Sequence, residues 1–193
     1  MQQDVIKLLR RFIIHRTDAY AVMTRNDYQQ RDNYYDREFE VIDDALLTRH
    51  LNGEVTIAVF PTDVETQTVK WCCWDIDSKD PIDTQRVFAV CARYGFNPVL
   101  EKSGRPHGLH VWNFFDNPKP LGEIKRIRTS CALRGIDFFP ERDVVVDDYY
   151  YELPIKLPLG FHRKEKVWSK FIDPIEHKEI SFATALRSAG YLQ

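Results

Sequence analysis

No stretch of this sequence runs to the roughly 18 consecutive apolar residues that a membrane-spanning helix needs. Its amino end, MQQDVIKLLRRFIIHR, is too short in apolar run and too charged for a secretion signal. A soluble, intracellular, cytoplasmic protein with no membrane partner is therefore expected. There are only four cysteines, Cys72, Cys73, Cys91 and Cys131, with no Cys-x-x-Cys pair and no histidine at finger spacing. That argues against a zinc knuckle and against a disulfide framework, and leaves the four as buried thiols. A net charge of −2 excludes a surface coated in basic charge. Internal repeats and low-complexity linkers are also missing.

What is present is enough apolar material for a real core, 44% of 193 residues, suited to one domain or two closely joined modules. Residues 2–14 read as a helix with Val5, Leu8, Leu9 and Phe12 on one face, 17–23 as a strand, and the Tyr-rich QQRDNYY as a turn or mobile loop. EFEVIDDALLTRHLNG reads as a helix closed by Gly53, and EVTIAVFPTD as a strand halted at Pro61. QTVKWCCWDID is then a strand, Thr84 to Tyr94 an amphipathic helix, NPVLEK a strand, SGRP a turn and HGLHVWNFF another strand. Pro120 to Leu133 follows as a helix, and a final extended segment reaches LPIKLPLGF. The order β-α-β-β-α-β predicts an α+β fold of the RNA-recognition-motif kind, an antiparallel sheet with helices on one face and the other face free for chemistry or nucleic acid. Residues 1–66 form a smaller N-terminal α/β module in this reading, and 67–193 the catalytic module with a C-terminal extension.

The most informative segment is WCCWDID. Residues i and i+2 of a strand share a face, so Asp75 and Asp77 lie roughly 6 to 7 Å apart along it. Such a pair serves either a divalent cation, which relieves its repulsion, or a solvated turn at the strand end. The first and third strands of this topology are neighbours, which brings His110 toward the acids. Around it Ser103, Gly104, Arg105 and Gly108 offer hydroxyl, guanidinium and backbone N–H donors to an anion. IKLPLGFHRK adds two cation-capable groups, Lys156 and His162. Acids for metal, with separate donors for phosphate oxygens, are what phosphoryl or nucleotidyl transfer requires. Two basic runs, one holding Lys125, Arg126, Arg128, Arg134 and Arg142 and the other HRKEKVWSK, are solvated faces or nucleic-acid contacts.

With these motifs in order, the sequence resembles the catalytic core of the archaeo-eukaryotic primases, or primase-polymerases, in the subgroup found with mobile elements and defence systems. WDID matches the family's first motif, SGRPHGLH its second, and KLPLGFH its third. FPERD resembles the approach to the third acid and makes Asp143 the best candidate, with Asp137, Asp147 and Asp148 close by in sequence. The resemblance implies a template-directed nucleotidyltransferase that makes or extends primers on single-stranded DNA from nucleoside triphosphates. It implies two Mg²⁺ or Mn²⁺ ions held by Asp75, Asp77 and Asp143, and a nucleotide held by Ser103, Arg105, His110, Lys156 and His162. A helicase or other replication protein acting in trans is a further expected partner, and the chain reads as a bare catalytic core. Alternatives are a gap-filling polymerase, an inactive nucleotide- or nucleic-acid-binding module and, last, a metal-dependent nuclease using His107 and His110.

Overall fold

A computed structural model describes residues 2–24, 34–130, 133–145 and 152–193. The expected buried thiol Cys131, and the acids Asp147 and Asp148, lie outside the described residues. So do Tyr149 to Tyr151 and most of the Tyr-rich loop. Cys72, Cys73 and Cys91 are buried thiols, as expected.

The chain opens with α1 (Gln2–Phe12), β1 (Tyr20–Thr24) and β2 (Tyr34–Glu38), then α2 (Asp44–Leu51), β3 (Ile57–Val59) and β4 (Thr62–Asp63). It continues as β5 (Thr68–Ile76), α3 (Pro81–Arg93), β6 (Val99–Lys102), β7 (Leu109–Pro120), α4 (Leu121–Ser130) and β8 (Asp137–Phe139). Last come β9 (Ile155–Lys156), β10 (Phe161–His162), β11 (Val167–Trp168), β12 (Lys170–Ile172) and α5 (Phe182–Ser188). Among the described residues no helix is long and apolar enough to cross a membrane.

Among the described residues two large antiparallel sheets result, with β10 and β11 forming a third of two strands. The larger runs β12-β6-β7-β5, with β4 and β8 sharing the outer edge of β5, and the smaller runs β2-β1-β3-β9. In the larger sheet β5 is central, as WCCWDID suggested: eight of its residues register against β7, from Thr68 opposite Pro120 to Ile76 opposite Leu109. Strict alternation divides its side chains. Cys72, Trp74 and Ile76 pack with Val87 and Cys91 of α3 and with Leu121, Ile124 and Ile127 of α4. Trp71 and Cys73 face the other way, against Ile6, Leu9 and Phe12 of α1, Leu47 of α2 and Ile57 of β3. A register shift between Val69 and Trp71 returns Val69 to the α3 side.

Four expectations are corrected. The face opposite α3 and α4 is not free: Trp71, Trp112 and Phe114 present too much apolar surface for solvent, and α1, α2, α5 and β3 cover it. Trp71 also donates its indole N–H to the Ile13 carbonyl at 2.7 Å, fastening the turn after α1. Near Asp75 the end of this face opens into a cavity. Secondly, the strand following α4 is β8, anchored by Phe138 on Trp74 at 4.9 Å with Phe139 buried on the opposite side. The LPIKLPLGF segment instead crosses to the smaller sheet, where Ile155 and Lys156 pair with Val59 and Ala58. Thirdly, Tyr34 and Tyr35 belong to a strand that registers against Thr24 and Met23, since the whole of β2 finds backbone partners on β1. The helix expected over EFEVIDD starts only at Asp44, where the Asp43 side chain caps the Leu46 N–H at 2.7 Å.

Candidate active site

The sheet register lays out the site. At one level of the larger sheet Glu101 pairs with His110, His110 with Asp75, and Asp75 with Asp137, one residue from each of β6, β7, β5 and β8. Directly opposed residues project to one face, so these four side chains form a polar row. The level beneath it, Val99, Trp112, Cys73 and Phe139, is apolar throughout and forms the floor.

Above the row lies a cavity of about 130 Å³, lined by Asp75, Ser103, Arg105, His110, Lys156 and His162 together with Tyr35, Phe139, Pro154 and Ile155. Six sequence-predicted site residues therefore meet around one space. Both sheets contribute, since Tyr35 and Lys156 come from β2 and β9 of the smaller one. Asp77 stands just outside, its carboxylate bound by Arg105. Asp143 does not reach this cavity. Its carboxylate is taken by Lys125, at 2.6 Å, and by Arg128. His107 is exposed and His110 buried, so the two histidines of HGLH do not converge.

The turn from Ser103 to Gly108 is built for close approach. The Ser103 N–H donates to the Gly108 carbonyl at 2.9 Å. A Cβ on Gly108 would lie 2.1 Å from Ser103 Oγ and 3.3 Å from Asp77 Oδ1; on Gly104, at φ +96°, it would lie 2.8 Å from His162 Cβ. The Ser103 hydroxyl is buried with no hydrogen-bond partner. Below it, His162 Nδ1 accepts the Glu165 N–H at 3.2 Å, which leaves the ring proton on Nε2 as a donor. The loop that carries Lys156 and His162 rests on His50. That ring accepts the Ile57 N–H through Nδ1 and donates to the Pro158 carbonyl through Nε2, each at 3.2 Å. Burial, then the nearby Lys156 ammonium, lowers its pKa to about 3, so it stays neutral.

Electrostatically the acid end wants a cation. Burial raises the pKa of Asp75, and Asp77 and Asp137 raise it further, against the lowering effect of His110 and Arg105. Asp75 Oδ1 is buried without a hydrogen bond; His110 Nε2 lies 3.7 Å away. Among the described residues no three carboxylates, imidazoles or thiols already converge as a metal cage. Even so, an orphaned carboxylate oxygen with two more acids beside it is the hard-oxygen donor set that Mg²⁺ or Mn²⁺ takes, and Arg105 occupies Asp77 in the manner of a cation.

Two contributors escaped the sequence reading. Glu101 lies in NPVLEK, which the sequence marks only as a strand, and its place in the site follows from its register opposite His110. Tyr35 falls in a stretch whose pattern reads as a loop, and nothing in that pattern links it to the acids.

The fold, with its acids at the open end of the larger sheet and a buried lysine opposite, has relatives among solved structures. It superimposes on the primase-polymerase domain of cyanophage S-2L with a TM-score of 0.52 at 13% identity, over 96% of this chain and 94% of that one. The polymerase domain of Mycobacterium tuberculosis ligase D, solved in complex with DNA, gives 0.55 at 13% identity, over 99% and 87%. No curated protein matches the sequence. Residues 10–185 match the archaeo-eukaryotic primase domain of TOTE conflict systems, and the chain belongs to that family.

Proposed function

We propose that the chain is a template-directed nucleotidyltransferase that synthesises or extends primers on single-stranded DNA. The observation that carries this is the polar row: Asp75, with an unsatisfied buried oxygen, stands between a second carboxylate, Asp137, and a histidine, and the unpartnered Ser103 hydroxyl and Lys156 face the same cavity. In this reading the third acid is Asp137 rather than Asp143, because Asp137 shares Asp75's face and Asp143 is neutralised by two cations elsewhere.

Asp75, Asp77 and Asp137 would hold the divalent ions, which supply charge neutralisation and lower the pKa of an attacking hydroxyl. Ser103, Lys156 and His162 hold the phosphates with donors fixed in advance, so little reorganisation is needed as charge develops, and His110 lines the same cavity between them and Asp75. Arg105 leaves Asp77 to join them. The primer 3′-hydroxyl attacks the α-phosphorus, the bond to the bridging oxygen breaks, and pyrophosphate departs. A groove beside the site, lined by Lys102, Arg105, Lys166 and the exposed Trp168, suits the backbone and a stacked base of a single strand. The order β6-β7-β5-β8, with α3 and α4 on one face, supports the RNA-recognition-motif reading of residues 67–193. β9 pairing with β3 supports a smaller module completed from the C-terminal side.

Incubation with single-stranded DNA, with and without a primer, labelled ribo- and deoxynucleoside triphosphates and Mn²⁺ tests this. Lengthening products with released pyrophosphate are expected. Extension only from existing primers would favour gap filling; nucleotide binding with no product in any combination would make the chain a binding module.

A further inference from the structure

Glu101 is fully buried, and nothing so far gives it a task. A carboxylate taken out of water is costly to keep unless its partners repay the loss of solvation. Two of its partners, His110 and Lys156, line the site. Oε2 meets His110 Nδ1 at 2.9 Å and Trp112 Nε1 at 2.8 Å, and Oε1 lies 3.6 Å from Lys156 Nζ. Burial by itself raises the Glu101 pKa, but the Lys156 ammonium and His110 more than reverse this, to about 2. The group is an anion, hence an acceptor only.

That fixes the proton on its neighbour. An anion at Nδ1 requires an N–H there, so the other ring nitrogen, Nε2, is left to face Asp75. Trp112 can only donate, and its indole N–H holds the same Oε2 in place for the imidazole. The second oxygen reaches across to Lys156, which arrives on β9 from the other sheet. One side chain thereby ties together two cation-capable groups carried on separate elements.

We propose that Glu101 is the positioning residue of the nucleotide site, holding His110 with its proton on Nδ1 and tethering the Lys156 ammonium beside it. The claim rests on the nucleotide-site reading given above for its functional consequence, but not for its geometry. Glu101 itself touches no substrate.

Long-range ¹H–¹⁵N spectra of ¹⁵N-histidine protein, recorded without nucleotide at mildly alkaline pH and assigned through His110→Gln, read the tautomer directly. A protonated Nδ1 on His110 is expected; a bare Nδ1 in the wild-type protein overturns the proposal. Nucleotide titration of Glu101→Gln then measures the consequence. This variant keeps an acceptor for His110 and Trp112 but loses the charge that tethers Lys156, and its nucleotide Kd should rise about tenfold, the scale of one charged hydrogen bond. DNA affinity should be unchanged. A folded Glu101→Gln that binds nucleotide as the wild type does overturns the proposal as well. If Glu101→Gln does not fold, the wild-type spectrum still decides. Failure of the wild-type protein to bind any nucleotide would sink the nucleotide-site reading instead, and with it the functional half of this proposal, while the spectrum separately judges the hold on His110.

Discussion

Asp137 sits directly across from Asp75 in the antiparallel register of β5 and β8, so the two carboxylates leave the sheet on one face. From this we predict that Asp137→Asn is as damaging as Asp75→Ala, each lowering nucleotide addition at least about 100-fold, the loss of a few kcal/mol of metal-dependent stabilisation. Asp143→Asn should stay within about threefold of wild type. It breaks only partly exposed ion pairs with Lys125 and Arg128, worth about 0 to 1 kcal/mol each. Primer-extension rates for the three variants decide the matter. An inactive Asp143→Asn beside an active Asp137→Asn would restore the assignment made from FPERD.

Lys156→Ala carries two expected losses. As a nucleotide contact, its removal weakens triphosphate binding by about 1.5 to 3 kcal/mol. Because Lys156 is also buried 3.6 Å from Glu101, its removal leaves an uncompensated carboxylate and lowers stability by about 3 to 5 kcal/mol. Thermal melts and nucleotide titrations measure these separately, and DNA affinity serves as the control. A loss confined to DNA binding would move Lys156 out of the nucleotide site.

The motifs legible in the sequence were those in which chemistry and local geometry coincide. In WDID the strand period alone puts Asp75 and Asp77 together, and KLPLGFH is compact enough to carry Lys156 and His162 into the site as a unit. The place of Glu101, and the choice of Asp137 among the acids around FPERD, became visible only through register. Each meets its partner across a strand pair, and no local pattern states which residue of β8 faces Asp75. Cover on the sheet was hidden for a related reason. Alternation in WCCW shows two apolar faces, but the helices that bury the second lie at the far ends of the chain, at α1 and α5. Likewise Tyr35 reaches the cavity only because β2 pairs with β1.

Glu152 should make stability depend on pH. It is buried, and its carboxylate accepts the backbone N–H of Thr62 at 3.1 Å as well as the Thr62 hydroxyl. Burial raises its pKa from 4.5 to about 7 despite those hydrogen bonds. Since the folded state binds the proton more tightly than the unfolded one, this group's contribution is fully present below about 4.5 and is lost as pH rises toward about 7. The loss is on the order of 3 kcal/mol. Chemical denaturation across that window should show wild-type stability falling relative to Glu152→Gln, which keeps an acceptor for Thr62 and cannot ionise. Parallel pH profiles for the two proteins would exclude a buried, titrating Glu152.

Gly108→Ala tests whether the turn itself is a phosphate cradle. The added methyl would lie 2.1 Å from Ser103 Oγ and 2.9 Å from Arg105 Cβ. The hydroxyl can rotate aside, but the arginine Cβ moves only with its backbone, so the turn must open and its N–H groups lose their aim. Overpacking of this kind costs about 1 to 3 kcal/mol of stability, and triphosphate affinity should fall by about tenfold or more as several donors shift together. Ser103→Ala removes one neutral hydroxyl and leaves the backbone in place, so its loss should be smaller, about 0.5 to 1.5 kcal/mol. Isothermal titration of a triphosphate into both variants gives the ranking. If Ser103→Ala proves the worse of the two, the side chain rather than the turn's backbone carries the anion, and the cradle argument for Gly108 fails.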